Sequence, residues 1–365
     1  IYIFICPDKD AAAYMMNDFY ALLGEEKVMF FPTGYKRSVQ FGQEDASGAV
    51  QRTAALNAIR EFSGNGWLAL FTYPEALAEK VADAAELDRR TMIVACGDTV
   101  GMDAIASVLE EFGFVKVDFV YEPGQYSIRG GIVDIFSYAE NKPYRIDMFG
   151  DEVESIRRFD ISSQLSTEKL DRIEIVPDMR ESVKSGRSVS LPEFASKAVF
   201  WADGLDHAVR KVDDIRRKML VEAEEPDVVD AKVTSRKQLA AALEGRTLLV
   251  RGDGMKEFPA TVTVTFDTMP QPAFNKQYDL LAKDIHDRSC DGYTTYILTD
   301  NRAQIERLDN IFAAPGFPHV RFSSLPITLP EGFGGHLSQV SPSPDHEFFT
   351  RHSLYPCRDQ LGRTP

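Results

Sequence analysis

A chain of 365 residues, 44% of them hydrophobic, can bury a substantial core and, at about 100 to 200 residues per domain, hold roughly two to four domains. Its formal net charge of −15 argues against tight nonspecific binding to DNA, which draws on many Lys and Arg side chains neutralising phosphates. The longest apolar runs are strand-length, far short of a bilayer span, and nothing resembles a signal peptide, so no membrane role follows.

The first stretch alternates apolar runs with helical periodicity, the pattern of α/β layering around a parallel sheet. Strands are predicted at Ile1 to Cys6, Val28 to Phe31 and Trp67 to Phe71, and helices at Asp10 to Leu23, Ala49 to Phe62 and Tyr73 to Ala82. From Thr91 a strand to Ala95 and a helix from Met102 to Phe112 lead into β-rich segments running to Val176, which reads as an α+β domain set into the α/β one. Tyr144 to Phe149 alternates, Gly150-Asp151 makes a two-residue turn, and Glu152 to Phe159 returns as a hairpin. Arg180 to Ser190 reads as loop and Leu191 to Val221 as largely helical, with strands at Thr247 to Val250 and Thr261 to Thr265. Met269-Pro270-Gln271-Pro272 reads as a linker. A last small α/β unit follows: a helix from Asn275 to Cys290, a strand from Thr294 to Thr299, a helix from Ala303 to Ala314 and a strand from His319 to Phe322.

Candidate chemistry is sparse. The phosphate cradle G-x-x-x-x-G-K-[ST] does not occur, and its nearest look-alikes, Ser63-Gly64-Asn65-Gly66 and Gly252-Asp253-Gly254, lack the Lys-Ser/Thr pair and read as turns. Asp151-Glu152-Val153-Glu154 resembles a magnesium-holding acidic box, but it sits in a hairpin return rather than at the end of a central parallel strand. Histidines such as His207 and His286 are scattered and build no catalytic grouping. Cys6, Cys96, Cys290 and Cys357 are widely separated, with no C-x-x-C pair, and are read as reduced thiols of a cytoplasmic protein. The reading is of a chain without catalysis, bound cofactor or metal of its own.

A surface stands out instead. Period-two alternation puts Tyr144, Ile146 and Met148 on one face of the hairpin and Arg145, Asp147 and Phe149 on the other. In a regular hairpin Phe149 pairs with Glu152, Asp147 with Glu154 and Arg145 with Ile156. An Arg and an aromatic presented together are what protein–protein hot spots favour. The preceding segment, Gly124 to Phe136, is strand-like but broken by Gly130-Gly131, a signal of a bulge or close backbone approach that would re-aim Arg129. A solvated sheet face is the plain alternative.

These two segments, Glu122-Pro123-Gly124-Gln125-Tyr126-Ser127-Ile128-Arg129-Gly130-Gly131-Ile132-Val133-Asp134-Ile135-Phe136 and Pro143 to Asp160, carry a resemblance. They are similar to the stretch shared by the excision-repair protein UvrB and the bacterial transcription-repair coupling factors (Mfd). The likeness extends more weakly over residues 1 to 330, including Tyr35-Lys36-Arg37 and the helix around Gln51 to Asn57. A short loop after Val28 to Phe31, in place of the tyrosine-rich DNA-clamping hairpin of UvrB, favours the coupling factors.

The resemblance implies a degenerate RecA/helicase-like domain in two parts (residues 1–90 and 177–272), an inserted UvrA-binding α+β domain (91–176) and a small α/β domain (273–333). Residues 334–365 depart from the pattern and are read as an irregular tail without assigned function. By motif match the UvrA contact would fall on Arg129, Arg145 and Phe149. ATP, magnesium, RNA polymerase and double-stranded DNA would belong to motor and polymerase-binding parts of a longer parent, and the missing initiator Met fits such a fragment. The rivals are a UvrB-like ATP-dependent helicase and an intramolecular regulatory module.

Overall fold

A computed structural model describes residues 1–34, 46–179, 187–222, 226–252, 254–265, 268–275, 277–299, 301–314, 320–327, 333–338 and 349–356. The chain divides into two compact units, one of Ile1–Met16 with Glu25–Pro259 and one of Asn17–Gly24 with Ala260–Pro365.

The first unit opens with β1 (Tyr2–Ile5), α1 (Lys9–Leu23, of which only the part to Met16 belongs to this unit), β2 (Val28–Phe30), α2 (Ala46–Glu61), β3 (Ala69–Thr72), α3 (Pro74–Ala78), β4 (Val81–Ala82) and α4 (Ala84–Arg89). It continues with β5 (Met92–Ala95), α5 (Met102–Glu111), β6 (Val115–Lys116), β7 (Gln125–Arg129), β8 (Ile132–Ile135), β9 (Tyr144–Phe149) and β10 (Glu152–Phe159). Then come β11 (Ser166–Leu170), β12 (Arg172–Ile175), β13 (Ser188–Val189), α6 (Leu191–Phe194), β14 (Val199–Asp203), α7 (Leu205–Glu222), α8 (Pro226–Lys232), α9 (Arg236–Leu243) and β15 (Leu248–Arg251).

Five of these strands form an all-parallel sheet in the order β15-β14-β1-β3-β2. Ile3, Ile5, Leu70, Phe71, Phe200 and Ala202 are fully buried in it, as expected of strands covered on both faces. β14 corrects the sequence reading, which ran one helical stretch from Leu191 to Val221. Val199-Phe200-Trp201 is a β-branched and aromatic run, and Gly204, at φ +70°, turns the chain between it and α7. The helix expected from Tyr73 to Ala82 stops at Ala78. Glu79 is extended there, its buried carboxylate accepting from the Gly34 amide at 2.9 Å and pairing with Arg52 at 3.4 Å. The backbone then leaves to pair β4 with β13.

The inserted region is built on a six-stranded sheet in the order β11-β10-β9-β8-β7-β6, antiparallel except for β6 beside β7. Its inner face packs Tyr126, Val133, Ile135, Tyr144, Ile146, Met148, Val153 and Ile156 against Ile105 and Leu109 of α5. Burial of this apolar set fixes register, since a one-residue slip would turn every side chain to the wrong face. Val94, Ile173 and Ile175 of the β5–β12 pair join the same core.

The second unit contains β16 (Thr268–Pro270), α10 (Tyr278–Cys290), β17 (Tyr293–Leu298), α11 (Arg302–Phe312), β18 (Ser323–Leu325), β19 (Phe333–Ser338) and β20 (Phe349–Pro356). Its sheet runs β16-β19-β20-β17-β18, over a small core of Phe274, Leu281, Ile285, Ile297 and Leu308. Four expectations shift here. Thr261 to Thr265 is exposed and not a strand, because Val262 and Val264 find nothing to pack on. Met269 and Pro270, read as linker, pair with β19. The strand expected at His319 to Phe322 sits at Ser323–Leu325, where it pairs in parallel with β17. The stretch read as an irregular tail contributes β19 and β20. The sequence signals there were short and the pairings are long-range, which local periodicity cannot report. No helix among the described residues is long and apolar enough to cross a membrane.

Candidate partner-docking surface

The face of the six-stranded sheet opposite α5 carries the residues singled out from the sequence. Tyr144, Ile146 and Met148 are buried on the inner side, while Arg145, Asp147 and Phe149 alternate to the outer one. Phe149, the last residue of β9, is 78% exposed. Gly150, at φ +63°, and Asp151 form the expected turn.

Gly130-Gly131 is a hairpin turn between β7 and β8 rather than a bulge within one strand. Gly130 takes φ +61°, and a Cβ on Gly131 would lie 2.8 Å from the Met148 carbonyl oxygen, so the close backbone approach is real. The Met148 amide donates to the Gly131 carbonyl at 2.7 Å and ties this turn to β9.

The expected hairpin pairing needs correction. Phe149 does pair with Glu152, but the register shifts between Val153 and Ser155, so Asp147 meets Ser155 and Arg145 meets Arg157. The cause is apolar spacing. Val153 and Ile156, three apart, are both buried, and only an extra residue between them turns both inward. Arg157 thereby takes the outer position that Ile156 was expected to hold.

The centre of the outer face is an ion cluster organised by a residue that the sequence reading passed over. Asp134, on β8, is 1% exposed. Its Oδ1 accepts from Arg145 Nε at 2.7 Å, and its Oδ2 accepts from Arg145 Nη2 at 2.9 Å and from Arg129 Nη2 at 2.6 Å. Arg145 is thus a bidentate partner, and Gln164 also accepts from it through Oε1 at 3.2 Å and the backbone carbonyl at 3.3 Å. Its guanidinium lies 4.3 Å from the centre of the Phe159 ring. Hydrogen bonding to Asp134, ahead of the opposing effect of burial, pushes the Arg145 guanidinium above its ordinary value. The Arg145 side chain is only 16% exposed, whereas Arg129 is 36% exposed and stacks 4.3 Å from the centre of the Phe119 ring. Two arginines and one carboxylate leave a local surplus of positive charge. Arg157 pairs with Asp147, which also accepts from Ser155 Oγ at 2.6 Å. The signal for Asp134 was present in the sequence: one carboxylate inside the apolar run Ile132-Val133-Asp134-Ile135-Phe136.

Around this cluster the apolar side chains Phe119, Tyr121, Phe149 and Leu165 are exposed. A shallow groove of about 720 Å³ lies beside it, lined by Gly131, Ile132, Asp147, Met148, Glu154, Ser155, Arg157 and Lys169. Charged groups fixed by one another, on a face that also exposes aromatic side chains, suit a protein contact.

The other candidates sit apart. Ser63-Gly64-Asn65-Gly66 is a turn with Gly64 and Gly66 at positive φ. Gly252 turns the chain after β15, and Asp253 lies outside the described residues. Asp151 and Glu152 hold a backbone link to the segment before α5, with the Asp151 carbonyl accepting from the Val100 amide at 2.7 Å. His207 lies on α7 and His286 on α10. Cys6 is buried, and burial, ahead of the charge on Asp203, pushes its thiol up to about 12, whereas Cys96 and Cys290 are exposed. Tyr35, Lys36, Arg37 and Cys357 lie outside the described residues. Among the described residues no group of three or more His, Cys, Asp or Glu side chains could hold a metal ion.

A family model for the UvrB interaction domain matches residues 92–180, the region that contains this face. The chain is 28% identical over 214 residues to the transcription-repair-coupling factor of Bacillus subtilis (strain 168), an alignment covering 58% of this chain and 17% of that protein. It is 29% identical over 201 residues to that of Myxococcus xanthus, covering 53% and 16%. To that of Escherichia coli (strain K12) it is 34% identical over 101 residues, covering 28% and 9%. The chain therefore corresponds to a small part of the length of these relatives.

Proposed function

We propose, for a chain related to the amino-terminal region of the transcription-repair-coupling factors and carrying a UvrB interaction domain, that the outer face of its six-stranded sheet docks UvrA in transcription-coupled nucleotide excision repair. The observation that carries this reading is Phe149, a large aromatic 78% exposed at the end of the same strand and on the same face as Arg145, which Asp134 holds in place. An exposed ring held by a strand loses little conformational freedom on binding, and aromatic and Arg side chains supply most of the energy at protein contacts. Arg129 is the arginine with donors to spare for a partner carboxylate. Arg145 acts mainly by holding Asp134 and setting the shape of the face.

In this reading the chain recruits and does not catalyse, takes no cofactor, and works in the cytoplasm. In the same reading the parallel sheet of its first unit is a degenerate helicase-like domain. ATP hydrolysis, RNA polymerase and DNA contacts belong to a longer parent. Calorimetric titration of the chain with purified UvrA, without nucleotide, tests the proposal. Binding should be measurable for the parent and weakened by about 2 kcal/mol or more in Phe149→Ala. Absence of binding by the parent chain would refute it.

A further inference from the structure

The outer face carries one more feature, visible only in the observed register. Asp134 pairs with Arg145, Arg145 with Arg157, and Arg157 with Lys169, so four adjacent strands place one carboxylate and three cations in a single cross-strand row. Like charges directly opposite one another destabilise a sheet. In a chain of net charge −15, such a row is not what composition alone would produce. The carboxylate at its end is fully engaged by Arg145 and Arg129. Asp147 engages Arg157 from the neighbouring position, yet Arg157 Nε remains buried without a hydrogen-bond partner. Lys169 is exposed on β11 and has no ion-pair partner among the described residues. Of the other acids, Glu152 stands at the hairpin end opposite Phe149, whereas Glu154 lines the groove together with Asp147. The shallow groove is lined by the cations Arg157 and Lys169 as well as by Glu154 and Asp147, with Ile132 as an apolar wall; Asp147 is already paired with Arg157, which leaves Lys169 as the unpaired cation there.

Resting on the docking reading above, we infer that the contact extends from Phe149 and Arg129 across the groove to Lys169, and that the partner surface it fits is a carboxylate-bearing segment of UvrA. An acidic side chain entering the groove would meet Lys169 as a free cation and would relieve the repulsion between Lys169 and Arg157. An exposed cation of this kind acts mainly on association and on salt dependence.

The test is calorimetric and kinetic titration of the full chain with UvrA at low and at physiological salt, using Lys169→Glu, Lys169→Gln and, as a charge-matched control, Lys237→Glu on the exposed side of α9. Lys169→Glu should weaken binding by about tenfold at low salt and Lys169→Gln by about threefold, with the difference from the parent shrinking as salt rises and Lys237→Glu unchanged. Lys169→Gln keeps the test decisive if charge reversal disturbs the β10–β11 edge. Equal weakening by Lys169→Glu and Lys237→Glu would overturn the inference, because net charge alone would then explain it. Unchanged affinity in both Lys169 variants, alongside loss of binding in Phe149→Ala, would overturn the inference and leave the docking reading standing. No binding by the parent chain would overturn both.

Discussion

Asp134→Asn is the substitution from which the sheet has most to lose. The parent carboxylate is 1% exposed and accepts three charge-assisted hydrogen bonds, two from Arg145 and one from Arg129. Asparagine keeps the volume but removes the charge, and its amide would turn a donor toward two guanidinium groups. Arg129, 36% exposed, can relax toward water, whereas Arg145, 16% exposed and stacked on Phe159, keeps its charge in a desolvated site with only neutral acceptors, the asparagine Oδ1 and Gln164. Removing one partner of such a buried pair costs about 3 to 5 kcal/mol, a large share of the roughly 5 to 15 kcal/mol that holds a domain folded. Hydrogen exchange of the β7, β8 and β9 amides reads this locally, which matters because two compact units need not unfold together. Protection should fall there and remain unchanged in the parallel sheet. A matching cycle with Arg145→Ala should be strongly non-additive. If Asp134→Asn changed the opening free energy of β8 and β9 by less than about 0.5 kcal/mol, the cluster would not be structural and the reasoning would fail. Charge reversal at Arg145 is for the same reason a poor probe of docking, since it would set a second carboxylate against Asp134.

Phe149→Ala should leave thermal stability nearly unchanged, within about 0.5 kcal/mol, because the ring is solvent-exposed, so any loss of UvrA binding reads the contact alone. Gly131→Ala should destabilise the β7–β8 turn by about 1 to 3 kcal/mol in a denaturant titration, since its Cβ would meet the Met148 carbonyl oxygen at 2.8 Å. In a Cys357→Ser background, a thiol reagent at neutral pH should label Cys96 and Cys290 in the native chain and reach Cys6 only on unfolding, given a thiol pushed up to about 12 by burial. Burial, and then the nearby charge of Glu174, holds the Glu61 carboxyl above its ordinary 4.5. The folded chain therefore binds this proton more tightly than the unfolded one, and the associated stability is lost as pH rises from about 4.5 through the raised folded value. Glu61→Gln should remove that dependence in melts taken across this range, with a change under about 1 kcal/mol because the side chain is 52% exposed.

Much of the first unit was legible because burial imposes periodicity on its segments. The β1, β3, β9 and β10 patterns and the Gly150-Asp151 turn each announce themselves within a few residues. β14 did not, because Val199-Phe200-Trp201 lies between two helical stretches and its role depends on β1 and β15, far away in sequence. In the second unit the strand expected at Thr294 to Thr299 is found as β17, but β16, β19 and β20 were missed for a related reason: Met269 and Pro270 acquire a partner only through residues 333–338. Phe149 was legible as outward-facing by simple alternation. Arg145 was legible as outward-facing too, but not as a residue turned back into the sheet, because its partner Asp134 lies on another strand.

The spacing within β10 shows how a small irregularity decides what the surface can bind. Val153 and Ile156 are both buried in the inner core, three residues apart where a regular strand allows only even intervals for a single face. The chain meets this demand by shifting register against β9 between Val153 and Ser155, and a second shift, against β11, falls between Arg158 and Phe159. Between the two shifts Ile156 goes to the core and Arg157 to the outer face, whereas a regular hairpin would have put Ile156 opposite Arg145. Phe159 then lies on the Arg145 side, where the guanidinium stacks over its ring. An apolar residue opposite Arg145 would have left the face with Arg129 and Arg145 already engaged by Asp134 and no further cation at its centre. The bulge instead lines Arg145, Arg157 and Lys169 across three strands. The sequence string Val-x-x-Ile is thus a core requirement, and the basic row that we assign to the partner contact follows from how a sheet satisfies it.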